Sequence, residues 1–86
     1  MLILGTNSWG TDIPKEPLVK QALKIAENVK SQRIAELRGA WIAKDQKLMW
    51  CTWETDNLEG LQVAFDYMNK MSGLKSEVTQ IEDMCA

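Results

Sequence analysis

Histidine is absent from this 86-residue sequence, and that absence excludes more chemistry than any other feature of it. It removes the side chain that most often serves as a general base near neutral pH and most often ligates zinc, nickel or haem iron. No metal and no cofactor is therefore expected. Cysteine is scarce as well, with only Cys51 and Cys85. Cys51 sits in an apolar, strand-like run and Cys85 is the penultimate residue, so a structural disulfide is not expected. With no imidazole to activate it, Cys51 reads as a small core residue rather than a nucleophile. Basic residues are not in excess: ten Lys and Arg against twelve Asp and Glu give a net charge of −2. A partner with a phosphate backbone or an anionic membrane surface calls for a positive patch, so neither nucleic acid nor membrane is expected as a partner. No apolar run approaches the roughly 18 residues of a membrane helix. The first residues carry no positive charge of the kind a signal peptide needs, and a cytoplasmic location is the expectation. The five glycines are isolated, and none belongs to a phosphate-cradling loop.

What is present is 45% apolar residues and four tryptophans. A chain of this size buries roughly 60–65% of the surface its unfolded form exposes, enough for one core and one domain over residues 1–86. Residues 2–9 read as a short strand, and the segment 10–14 as the turn that ends it. Pro17 suits a first helical turn, and Leu18, Ala22, Ile25, Ala26 and Val29 then recur at helical spacing, with Val19 and Leu23 widening the stripe. This helix of about four turns ends near Gln32 or Arg33. Residues 34–43 and 48–55 are two more strands, joined by the wholly polar Lys44-Asp45-Gln46-Lys47. Asp56 is placed to cap a second helix, with Glu59 reaching back. Its inward stripe is Leu58, Leu61, Ala64, Phe65, Met68 and Met71; Gln62, Asp66, Asn69 and Lys70 face outward, and Gly73 ends it. Residues 74–81 read as an edge strand and 82–86 as a loose tail.

The order strand, helix, strand, strand, helix, strand is the split βαβ arrangement. It predicts an α+β, ferredoxin-like domain: a four-stranded antiparallel sheet in spatial order 4-1-3-2, with both helices on one face. A hairpin turn centred between Asp45 and Gln46 sets Trp41 opposite Trp50, Gly39 opposite Thr52 and Leu37 opposite Glu54. One face of the hairpin then carries Ala40, Ile42, Met49, Cys51 and Trp53 and suits burial under helices. The other carries Trp41, Trp50, Thr52 and Glu54 and is left uncovered within one copy of the chain. A face bearing two large indoles is the kind of surface that meets a partner.

The opening MLILGTNSW, the hairpin with Trp41, the run Trp53-Glu54-Thr55-Asp56-Asn57 leading into a helix and the closing Ser76-Glu77-Val78-Thr79 resemble small uncharacterised proteins of the dimeric α+β barrel superfamily. The resemblance implies ferredoxin-like subunits packed sheet to sheet as a homodimer. Families of that kind include binders of small organic molecules or haem, monooxygenases and isomerases. Active members often rely on histidine, and where similar proteins carry one in the first strand this sequence has Asn7. No catalytic residue is carried over.

The candidate ligand-binding or dimer-interface residues are thus Trp41, Trp50, Thr52, Glu54, Asn7 and Trp9. The tryptophans form either an aromatic wall for a flat apolar ligand or a filled dimer core. Non-catalytic binding of a small apolar or aromatic molecule, or protein assembly through the open sheet face, is the leading reading. A small monooxygenase- or isomerase-like enzyme, with a pocket between the tryptophans and Glu54, is the alternative. Strand addition at the edge of the fourth strand is a third.

Overall fold

The computed structural model describes residues 1–10 and 12–85, so expectations placed on residues 11 and 86 lie outside it. Along the chain run β1 (Leu2–Ser8), α1 (Lys15–Ser31), β2 (Glu36–Ile42), β3 (Leu48–Glu54), α2 (Leu58–Ser72) and β4 (Lys75–Ile81). The strands form one sheet in the order β2-β3-β1-β4, every neighbouring pair antiparallel, and the ferredoxin-like topology expected from the sequence is present.

Alternation decides which residues meet the helices. In β1, Ile3, Gly5 and Asn7 are buried while Leu2, Leu4, Thr6 and Ser8 are only half covered. Met49, Cys51 and Trp53 of β3 share the covered face, and Leu48, Trp50, Thr52 and Glu54 the other. Gly5 has no side chain to spare: a Cβ there would lie 2.9 Å from Phe65 Cζ and 3.0 Å from Cys51 Sγ. Two apolar clusters fill the space between layers. One joins Ile3, Val29, Trp53, Leu61 and Phe65, with the rings of Trp53 and Phe65 edge to face at 6.0 Å. The second joins Trp9, Leu18, Met49, Met68 and Leu74.

The hairpin register follows the turn-centred expectation from Ile42–Met49 through Trp41–Trp50 to Gly39–Thr52 and then slips. A bulge at Arg38 pairs Leu37 with Trp53 and Glu36 with Glu54, correcting the expected pairing of Leu37 with Glu54. Burial explains the slip. Without the extra residue, Leu37 would face the open side and Arg38 would be driven under the helices; with it, Leu37 packs against the core and Arg38 stays exposed.

The helix ends show a second correction. Asn57, not Asp56, caps α2, its Oδ1 accepting from the Gly60 N–H at 2.9 Å. Thr55 sets this up. Its hydroxyl donates to the Ile34 carbonyl at 2.6 Å and accepts from the Asn57 N–H at 2.8 Å, which leaves Asp56 exposed one position too early. At the far end Gly73, with φ of 68°, supplies the left-handed residue that closes α2. The end of α1 uses Arg33 in the same conformation, with the Ile34 N–H reaching back to the Val29 carbonyl. On α2, Met71 is exposed and Asn69 faces β4, reversing their expected sides, because the inward stripe continues from Met68 to Ser72, whose hydroxyl donates to Gln21 of α1. Leu23, expected to widen the α1 stripe, is half exposed.

Candidate functional site

Small side chains on both helices keep the layers from closing completely. Ala22 and Ala26 of α1 and Ala64 of α2 face the sheet, and between them and β2 and β3 lies a cavity of about 270 Å³. Val29, Leu61, Phe65 and Met68 close its helix side; Leu37, Ile42, Met49 and Trp53 close its sheet side. No charged side chain lines it. Its exposed lining residues are Leu23, Ala40 and Trp41, so it opens where α1 runs beside the edge strand β2.

The sheet side carries a small polar floor made by Asn7, Cys51 and Trp53. Asn7 is 1% exposed, and its Nδ2 donates to the Met49 carbonyl at 3.2 Å and, more weakly, to Cys51 Sγ at 3.6 Å. Trp53 Nε1 donates to the same sulfur at 3.1 Å. Cys51 lies within reach of the Gly5 carbonyl at 3.9 Å. Loss of hydration pushes the Cys51 thiol above its ordinary 9.0, while the N–H groups of Trp53 and Asn7 pull the other way and do not overcome burial. Cys51 is therefore a neutral thiol at pH 7, which agrees with its reading as a core residue. Both cysteines are free, Cys51 buried and Cys85 exposed.

The structure divides the candidates read from the sequence. Trp50, Thr52 and Glu54 share the face that the helices leave uncovered; Trp41, directly opposite Trp50 on the edge strand and 56% exposed, also borders the mouth of the cavity. Asn7 and Trp9 belong to the opposite, covered side. Asn7 forms part of the cavity floor, whereas Trp9 sits in the second apolar cluster and its Nε1 is buried without a partner among the described residues. Of the residues expected to form a pocket with Glu54, the cavity between helices and sheet takes in Trp41 but not Trp50. Glu54 is exposed, is paired with the Met1 ammonium at 3.1 Å rather than with Arg33 or Arg38, and does not line the cavity. It borders instead a separate polar hollow with Lys30, Arg33, Glu36 and Asp56. The sequence reading missed the cavity, although alanine at positions 22, 26 and 64 on core-facing stripes was a visible sign of unfilled space.

The fold is similar to that of solved proteins. A crystal structure of an antibiotic biosynthesis monooxygenase matches 96% of this chain and 100% of its own, with a TM-score of 0.61 and 8% identity. The likeness extends over the whole ferredoxin-like topology of this chain. An uncharacterized NIPSNAP domain protein from Burkholderia xenovorans matches over 100% of this chain and 99% of its own, with a TM-score of 0.48 and 15% identity. No family model and no curated protein matches the sequence. At such identities the likeness to the monooxygenase is one of fold. Among the described residues no helix is long and apolar enough to cross a membrane, and no three metal-ligating side chains cluster.

Proposed function

We propose that the chain binds a small, flat, predominantly apolar molecule in the cavity between its helices and its sheet, and that two copies pair through the open sheet face. One observation supports the binding reading above the others: a cavity of about 270 Å³ whose lining has no charge and whose only polar side chains beyond an exposed indole are grouped on one floor. An apolar cavity of about 150 Å³ accepts benzene, and drug-sized pockets begin near 300 Å³, so the volume suits one or two fused rings. Such a site differs from the expected one in place but not in ligand class. The molecule would lie within one protomer, not between two.

Titration with a two-ring quinone, followed by tryptophan emission, tests this, because Trp53 lines the cavity. Saturable quenching is expected in the parent protein, and Ala64→Phe, which puts a ring into the space, should weaken it at least tenfold. Absence of saturable quenching, or quenching indifferent to Ala64→Phe, would overturn the reading. The enzymatic alternative draws support from the likeness in fold to a protein named as a monooxygenase and from an amide in the cavity floor able to polarise a carbonyl. Binding without turnover is favoured because the floor offers no carboxylate and its thiol stays protonated.

A further inference from the structure

The polar floor is the end of a longer, partly buried chain of hydrogen bonds. Asn7 Oδ1 accepts from the Ser76 hydroxyl at 2.6 Å. A serine hydroxyl has one proton, so Ser76 Oγ must in turn be an acceptor towards Asn69, 3.0 Å away on α2. With its amide nitrogen turned to Ser76, Asn69 also reaches the carbonyls of Leu74 at 3.2 Å and Phe65 at 3.3 Å; the opposite orientation would set its oxygen against both. The direction of the chain follows: Asn69 donates to Ser76, Ser76 donates to Asn7, and Asn7 donates to the Met49 carbonyl and to Cys51 Sγ. The Asn7 amide is held from both ends, its oxygen facing a donor and its nitrogen facing an acceptor.

This orientation fixes the polarity of the cavity. Asn7 Nδ2 and Trp53 Nε1 both point N–H groups at one sulfur, and a thiol is a weak acceptor. The Asn7 oxygen, the one good side-chain acceptor of the floor, is already occupied by Ser76. We propose that Ser76 and Asn69 are positioning residues that lock Asn7 as a donor, so that the cavity selects an apolar molecule carrying a hydrogen-bond-accepting oxygen, such as a ketone. An oxygen arriving beside Cys51 Sγ replaces a poor acceptor with a good one for the Asn7 N–H and for the Trp53 indole N–H. A hydrocarbon of the same shape leaves both on sulfur. This inference rests on the binding site proposed above and adds the ligand's polarity to it.

The test compares 1-indanone with indane, two-ring compounds that differ by the carbonyl, using calorimetry and the NMR signals of the Asn7 amide and the Trp53 indole N–H. One neutral hydrogen bond corresponds to about a fivefold preference for the ketone in the parent protein, with both N–H signals displaced by the ketone and not by the hydrocarbon. Asn7→Leu, which leaves only the Trp53 N–H to meet the oxygen, should lower the preference to about twofold. Ser76→Ala, which removes one of the two holds on the amide, should reduce the preference to about twofold, and Ser76→Thr, which restores a hydroxyl, should return it. Equal binding of the two compounds by the parent protein, or an unchanged preference in Ser76→Ala, overturns the inference while leaving the site standing. Binding of neither compound overturns the site and the inference together.

Discussion

Cys51 shows how far one side chain's surroundings govern its chemistry. It is 8% exposed, faces the cavity and receives two N–H groups, yet burial keeps it protonated beyond its ordinary range. The folded protein thus holds this proton to higher pH than the unfolded chain does. The contribution of the buried neutral thiol to stability is complete below pH 9, the unfolded value, and is lost as pH rises from there through the folded value. Denaturant unfolding of the parent protein and of Cys51→Ala at pH 7 and at pH 10.5 measures it. Every other group is common to the two proteins, so the difference isolates Cys51. The parent is expected to lose more stability between the two pH values than Cys51→Ala, and equal losses would contradict the assignment. Asn7 makes a related point about reading residues. Its covered position was legible in the sequence, since it shares the parity of Ile3 and Gly5 along β1, and a period of two puts all three on one side.

Whole elements were legible where local chemistry and burial agree. The polar run Lys44-Asp45-Gln46-Lys47 between two apolar segments sets the hairpin, and the pairing of Trp41 with Trp50 follows from the turn's centre. The bulge at Arg38 was legible only in Gly39 beside it, an isolated glycine in a strand run, and the competition between Leu37 and Arg38 for the covered side fixes its place. The cavity was harder still to read, since it consists of atoms that are missing, and alternation and helical spacing count only residues that are present. The cap of α2 was misplaced by one residue for a different reason. Asp56 and Asn57 are both good caps on type, and the decision is made by Thr55, whose hydroxyl ties the Ile34 carbonyl to the Asn57 N–H. Asn57→Ala should accordingly cost about 1 kcal/mol of stability, while Asp56→Ala, an exposed residue making no cap, should cost less than about 0.5 kcal/mol. Chemical denaturation of the two variants checks the order, and the reverse order would return the cap to Asp56.

At the scale of the molecule, both helices pack on one side of the sheet, and Leu2, Leu4, Leu48, Trp50 and Ile81 on the other are only half covered, with Trp41 more exposed than any of them. That face is the basis of the proposed homodimer. Antiparallel sheets tolerate water on one side when that side is polar, and this one sets two tryptophans and several aliphatic side chains among its polar residues. Light scattering at high micromolar concentration is expected to give a mass near twice 9.8 kDa, and Trp50→Lys, which sets like charges against each other across a two-fold axis, is expected to give 9.8 kDa. A monomeric parent protein would remove the dimer. The same variant also separates the two halves of the proposed function. Trp50 does not line the cavity. A monomeric Trp50→Lys protein should therefore keep its affinity for a two-ring ketone within about twofold, because pairing buries the open face and binding uses the covered one. If affinity instead disappeared along with the dimer, the ligand would have to lie between subunits, where the tryptophan pair alone had first placed it.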